Sequence, residues 1–341
     1  MNAAPASLEP PTSNLNAGLY LGIDAGGTKT VAILTRADGR VVGAGRAAAC
    51  NIYDDVDAAF EQLDLAVREA LNAADVRLET VTATCLSATG ADWAEDFALF
   101  ETALHARGYR HFRVVNDAMG ALRAGSPDGT GVVVVCGTSA GIGAKSSSGA
   151  AWHTSFWQEP EGAEQLGRVA LRAAYRAELG IDPPTTLTTA LLEHHGFENV
   201  EALLHAYTAR GQRDARTVGK LARILLDEAL SGDPTACRIV LEHGAALGDY
   251  AIVAARKVGL TNQNFALVTA GGVMRHASHL MPDALLARVR EIAPGAHPVR
   301  SPLEPVAGAV LLALETAGLN VTEALHENLR SSFPGAALFQ T

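Results

Sequence analysis

Apolar residues open this chain in short, dense runs, each stopped by glycine or by an Asp-Gly pair: Leu19–Ala25, Thr30–Thr35 and Val41–Arg46. The pattern predicts three strands. The Asp38-Gly39 pair marks a tight hairpin, so the strands should form an antiparallel meander. From Val56 to Ala74 the period turns helical, with Phe60, Leu63, Leu65, Val67 and Leu71 as its apolar positions. A buried-type strand in "TVTATCLSATG", a helix over Ala94 to Arg107 and a strand in "HFRVVND" follow. This succession predicts an α/β domain whose later strands lie parallel.

The stretch "GSPDGTG" (Gly125–Gly131) breaks the pattern, and a new apolar run, "VVVVCGTSAGIGAKS", begins. Strand, Gly/Thr turn, strand is also how the first half starts, so we read a weak internal duplication. Helical sequence fills Glu164 to Val258, broken near "GIDPPTT" and "SGDPTA". "NFALVTAGGVM" then predicts a buried strand ending in a Gly-Gly turn, followed by a helix, a short strand near "HPVRS" and a terminal helix over Val321 to Arg330.

A length of 341 residues fits two domains of about 150 residues each. The expected division is a disordered leader at 1–17, a first lobe at 18–125 and a second at 126–319 with a helical insert at 164–258. A helix at about 320–333 would pack back on the first lobe. With 48% hydrophobic and 19% charged residues, the chain can form sizeable cores. The net charge of -10 offers no basic footprint for nucleic acid or an anionic membrane. Cys50, Cys85, Cys136 and Cys237 are scattered without metal spacing, as expected of reduced thiols in a cytoplasmic protein. The first residues lack a signal peptide's basic and apolar regions. The longest apolar run, Val306 to Leu314, is far short of the roughly 18 residues of a membrane span.

The turns carry the candidate chemistry. "DAGGTKT" sets Gly26, Gly27, Thr28, Lys29 and Thr30 between two strands. Small residues let successive backbone N–H groups approach an anion, and the hydroxyls and the ammonium add donors. The spacing is that of neither a P-loop nor a dinucleotide turn, and an ordinary glycine-bearing hairpin accounts for this one turn equally well. "VVVVCGTSAG" supplies a second such turn at Gly137, Thr138 and Ser139, and "LVTAGGVM" a third at Gly271 and Gly272. Asn116-Asp117 ends a strand and opens a helix, where Asp117 is open to two roles, helix cap or general base.

Taken in order over Leu19 to Leu314, these motifs resemble the BadF/BadG/BcrA/BcrD-type ATPase and N-acetylglucosamine kinase family, within the actin-like ATPase superfamily that includes hexokinases. "GIDAGGTKT" resembles the family's first phosphate motif, "VVNDAMGALRAG" its strand-end aspartate, "VVVVCGTSAG" its second phosphate motif, "LVTAGGVM" its adenosine motif and "EPVAGAVLLAL" its closing helix. The resemblance implies two ribonuclease H-like lobes, each a mixed five-stranded sheet with helices, around a nucleotide cleft. It further implies ATP and Mg²⁺ as cofactors, a small-molecule sugar as substrate and a homodimer as the assembly. Asp117 would be the general base, with Asp24 holding the metal through water. Asn51, Thr89, Gly90, Asn116, Glu159 and Glu161 would face the sugar.

Two stretches depart from the family. Its Gly-Asp-Glu-Gly-Ser becomes something near "QEPEG", and its Gly-Thr-Gly-Ser becomes Gly137-Thr138-Ser139-Ala140. A serine placed where the backbone needs positive φ would be strained. The expected activity is ATP-dependent phosphorylation of an amino sugar or related hexose. The alternatives are a catalytically weakened nucleotide or sugar sensor and an ATPase acting on a partner protein.

Overall fold

A computed structural model describes residues 18–210 and 218–339; the expected leader at 1–17 lies outside the described residues. Strands β1 (Leu19–Ala25), β2 (Lys29–Arg36), β3 (Val41–Ala48), β4 (Val81–Ala88) and β5 (Phe112–Asn116) form one sheet in the order β3-β2-β1-β4-β5. A second sheet, β6 (Gly131–Cys136), β7 (Ala140–Lys145), β8 (Ala151–His153), β9 (Phe265–Ala270) and β10 (Ala296–Arg300), repeats that order as β10-β9-β6-β7-β8. In each sheet the opening strand pairs antiparallel with the second and parallel with the fourth. The duplication expected from the two Gly/Thr turns is therefore present as strand topology.

The first sheet carries α1 (Val56–Ala73) and α2 (Ala94–Ala106), followed by α3 (Asp117–Gly125). Between β8 and β9 lie α4 (Ala163–Glu178), α5 (Thr186–His195), α6 (Val200–Thr208), α7 (Leu221–Ser231) and α8 (Pro234–Lys257). After β9 come α9 (Leu280–Arg290), α10 (Pro305–Thr316) and α11 (Glu323–Ser332). Among the described residues no helix is long and apolar enough to cross a membrane.

β1 is apolar on both faces because both are covered. Leu21 and Ile23 pack with Phe60 and Leu63 of α1, whereas Tyr20 packs with Val306 and Val310 of α10. The lobes thereby exchange helices across the expected division at residue 125. Helix α3 follows the first sheet but sets Ala118, Ala121 and Leu122 against Val133 and Val268 of the second. Helix α10 follows the second sheet but is buried on the first, and α11 returns there through Leu325 and Leu329. Helices α3 and α10 also touch each other. A Cβ on Gly308 would stand 1.8 Å from the Gly120 carbonyl oxygen, so only glycine permits this crossing.

Candidate active site

The parallel register places three strand ends side by side, with Ala25 opposite Ala88 and Ala88 opposite Asn116. The residues just beyond them must converge, as ligand-binding residues do at the carboxyl ends of parallel strands. These are the first turn, Gly26 to Thr28; Thr89 and Gly90; and Asp117. The Thr89 amide binds the Ala25 carbonyl at 2.8 Å, and the Gly26 amide closes its own turn on Lys29 O at 2.9 Å.

From the second sheet, Gly137-Thr138-Ser139 faces this cluster, and the Thr28 hydroxyl donates to that of Thr138 at 3.1 Å. Among the described residues, the non-glycine residues with positive φ are Asp75 and Ser155. Ser139 is therefore unstrained, contrary to the concern raised by its substitution for glycine. Gly271 and Gly272 follow β9, and Gly271, at φ +95°, passes so close to β6 that a Cβ would lie 2.3 Å from Cys136 O. The third turn is thus packed against the base of the second.

The side chain that caps α3 is Asn116, whose Oδ1 accepts from the Ala118 amide at 3.1 Å. Asp117 is relieved of that role, and its Oδ2 accepts the Thr89 hydroxyl at 2.5 Å. Asn116 Nδ2 donates to Asp92 Oδ1 at 3.1 Å and to Ala91 O at 3.3 Å. Buried and engaged at both ends, Asn116 fixes the position of its neighbours.

Asp92 was not anticipated. Its carboxylate lies 3.9 Å from His153 Nδ1, which is 2.7 Å from Ser155 Oγ, so the groups span both lobes. Burial raises the Asp92 carboxyl, opposed by a hydrogen bond to Ser155 and reinforced by Asp117. Burial lowers the His153 imidazole against the pull of Asp92 and Asp117. The available signal was its place directly after the strand-end "LSATGA", but a single loop aspartate carries no motif.

Asp24 lies one residue before the end of β1. Burial and the charge of Asp117 push this carboxyl up to about 7, against Lys29. That excess of negative charge suits a cation. Among the described residues, no group of three or more His, Cys, Asp and Glu side chains forms a metal cage, so a hard cation here would need water and ligand oxygens as well.

Other expected site residues have partners within the protein. The Thr30 hydroxyl is buried and donates to Ala48 O at 2.8 Å, which shapes the hairpin instead of reaching the cleft. Lys29 points neither at a phosphate nor at bulk solvent: its Nζ donates to the Phe339 carbonyl and lies 5.9 Å from that ring's centroid. Asn51 closes its own loop, accepting from the Tyr53 amide at 3.1 Å and donating to Asp54 at 2.8 Å.

Glu159 and Glu161 expose their carboxylates and engage through the backbone. The Glu159 amide donates to Tyr250 OH at 3.2 Å, and Glu161 O accepts from His243 at 2.8 Å. Their loop supports the second turn. Gln158 Nε2 donates to Ala140 O at 2.5 Å, and the Ala163 amide, at the start of α4, donates to Gly137 O at 2.8 Å.

Known proteins resemble this chain in sequence and in fold. The N-acetyl-D-glucosamine kinase of Dictyostelium discoideum is 28% identical over 318 residues, covering 87% of this chain and 98% of its own. The N-acetylmuramic acid/N-acetylglucosamine kinase of Clostridium acetobutylicum is 26% identical over 272 residues, covering 77% and 88%. Among solved structures, a ROK family glucokinase from Streptomyces griseus, in complex with glucose and AMPPNP, superposes with a TM-score of 0.57 at 21% identity, over 87% of this chain and 100% of its own. At that identity the likeness is one of fold, an actin-like arrangement of two lobes. The sequence pattern of the BadF/BadG/BcrA/BcrD ATPase family matches residues 21–313, and this chain belongs to that family.

Proposed function

We propose that the protein transfers the γ-phosphoryl group of ATP to a hydroxyl of an amino sugar or a related hexose, with Asp117 as general base. The observation that carries this reading is the Asp117 carboxylate, freed from capping by Asn116 and oriented by the Thr89 hydroxyl. A sugar hydroxyl is a weak nucleophile, and a fixed carboxylate within about 3 Å can accept its proton as the phosphoryl group moves. The amides and hydroxyls of Gly26, Gly27, Thr28, Gly137, Thr138 and Ser139 would bind phosphate oxygens. Gly271 and Gly272 would border the nucleoside. The names of the two kinase relatives support the acceptor class.

Asp24 would hold Mg²⁺ through water, and Lys29 would steady it at long range through charge. When bound, the ion neutralises charge on the phosphates. Thr89, Gly90 and Asp92 form the acceptor side on the first lobe, with His153 and the Glu159–Glu161 loop opposite.

The test is ADP release from Mg-ATP in the presence of N-acetylglucosamine, N-acetylmuramic acid, glucosamine, N-acetylmannosamine or glucose. Sugar-dependent turnover with at least one N-acetylated sugar is expected. ATP hydrolysis indifferent to every sugar would sink the reading.

A further inference from the structure

Three aromatic side chains stand exposed together beside the acceptor side, and an exposed fourth, Trp157, directly follows one of them in the chain. Tyr53 and Trp93 come from the first lobe at 49% and 45% exposure, and Phe156 and Trp157 from the second at 63% and 69%. Phe156 reaches between the lobes. Its ring centroid lies 5.3 Å from Tyr53, edge to face, and 6.3 Å from Trp93, nearly parallel at 12°. An apolar cluster left in water forgoes the stabilisation of burial, which marks it as a surface that meets something.

The strip is built rather than accidental. One carboxylate, Asp96, engages both residues of the first lobe: its Oδ2 accepts from the Tyr53 hydroxyl at 2.7 Å and from the Trp93 backbone amide at 2.8 Å. On the other lobe Ser155 holds φ at +47°, a conformation that strains a side-chain-bearing residue. Ser155 is retained there beside His153 Nδ1, at 2.7 Å, and Phe156 follows directly.

The strip is also continuous with the site, because Trp93 directly follows Asp92, which holds Asn116 next to Asp117. Its electrostatic surroundings are acidic. Burial, the bond to Asp96, and the charges of Asp96, Asp92 and Glu95 all raise the Tyr53 phenol. Negative charge on a ligand would be repelled here.

We propose that this aromatic strip is a subsite for a neutral ring carried by the acceptor sugar, so that the substrate class extends to amino sugars bearing a flat, uncharged substituent. The inference rests on the kinase reading above. The ring lies over Phe156 and Trp157, bordered by Trp93 and Tyr53, while the reacting hydroxyl stays at Asp117. Stacking on an aromatic face suits a flat aryl group.

The test compares N-acetylglucosamine with its N-phenylacetyl analogue, its phenyl glycoside and its anionic N-succinyl analogue, for the wild type, Phe156→Ala and Trp157→Ala. Two attachment points are used because the transferred hydroxyl blocks neither in advance. For the wild type, at least one ring-bearing sugar should show KM lower than the parent by about fivefold, with kcat within about twofold. The N-succinyl sugar should show no gain, and the advantage of the ring should collapse in both variants. The proposal is overturned if neither ring-bearing sugar gains, or if the gain survives both substitutions. It is equally overturned if Phe156→Ala dissociates a dimer in sedimentation while leaving the preference unchanged, since a second copy would then be the occupant. If no sugar is turned over, the kinase reading fails, and tryptophan fluorescence titration with the same sugars still decides the subsite. Tighter binding of a ring-bearing sugar supports it, and equal binding overturns it.

Discussion

Thr89 donates its hydroxyl to Asp117 Oδ2 across 2.5 Å, tying the loop after β4 to the first residue of α3. The bond fixes which way the carboxylate faces, and a general base acts only when held within reach of the proton it takes. Thr89→Val should lower kcat by roughly tenfold, the scale of a lost charge-assisted hydrogen bond, with little change in KM for ATP. Thr89→Ser should restore most of the loss. Steady-state kinetics with ATP and the sugar varied separately check both.

Asp24 makes stability depend on pH. Its carboxyl moves from the ordinary 3.8 to about 7, through burial first and Asp117 second. A raised carboxyl favours the protonated folded state, so its stabilising contribution is complete below about pH 4 and is lost as pH rises through about 7. Asp24→Asn should therefore melt above the wild type at pH 8 without ligand, by the order of 1–3 kcal/mol, and the gap should close near pH 4. Thermal melts across that range would show a constant gap if the carboxylate were unperturbed.

The crossing of α3 and α10 couples the two sheets through backbone contact. Gly308→Ala would place a methyl group 1.8 Å from Gly120 O, forcing the helices apart. A loss of about 1–3 kcal/mol or more is expected from such overpacking, read as a lower urea midpoint. An unchanged midpoint would mean that the helices do not touch as described.

Local signals in the sequence marked most of the secondary structure. The Gly and Asp-Gly punctuation found the meander, and the alternation of strand and helical periods found the α/β pattern of both halves. Periodicity could not reveal that α3 and α10 pack on each other's sheets, because that choice depends on long-range contacts such as Val310 on Tyr20. The same limit applied at the site. Turn composition picked out Thr28 and Thr138, whereas the engagement of Thr30 by Ala48 and of Asn116 by Asp92 depends on three-dimensional neighbours. Lys29 meets Phe339 from 310 residues away, and nothing near Lys29 in the chain hints at it.

The central claim is that Asp117 accepts the acceptor's proton. The most direct measurement is single-turnover phosphoryl transfer by Asp117→Asn, alongside ATP binding by the same protein. The substitution keeps the shape and can still meet the Thr89 hydroxyl, but it removes the base. The account predicts that ATP affinity stays within about twofold while the transfer rate falls by roughly 10²–10⁴-fold. Transfer at near the wild-type rate with intact ATP binding would contradict it and move the base elsewhere, with Asp92 the next carboxylate to test.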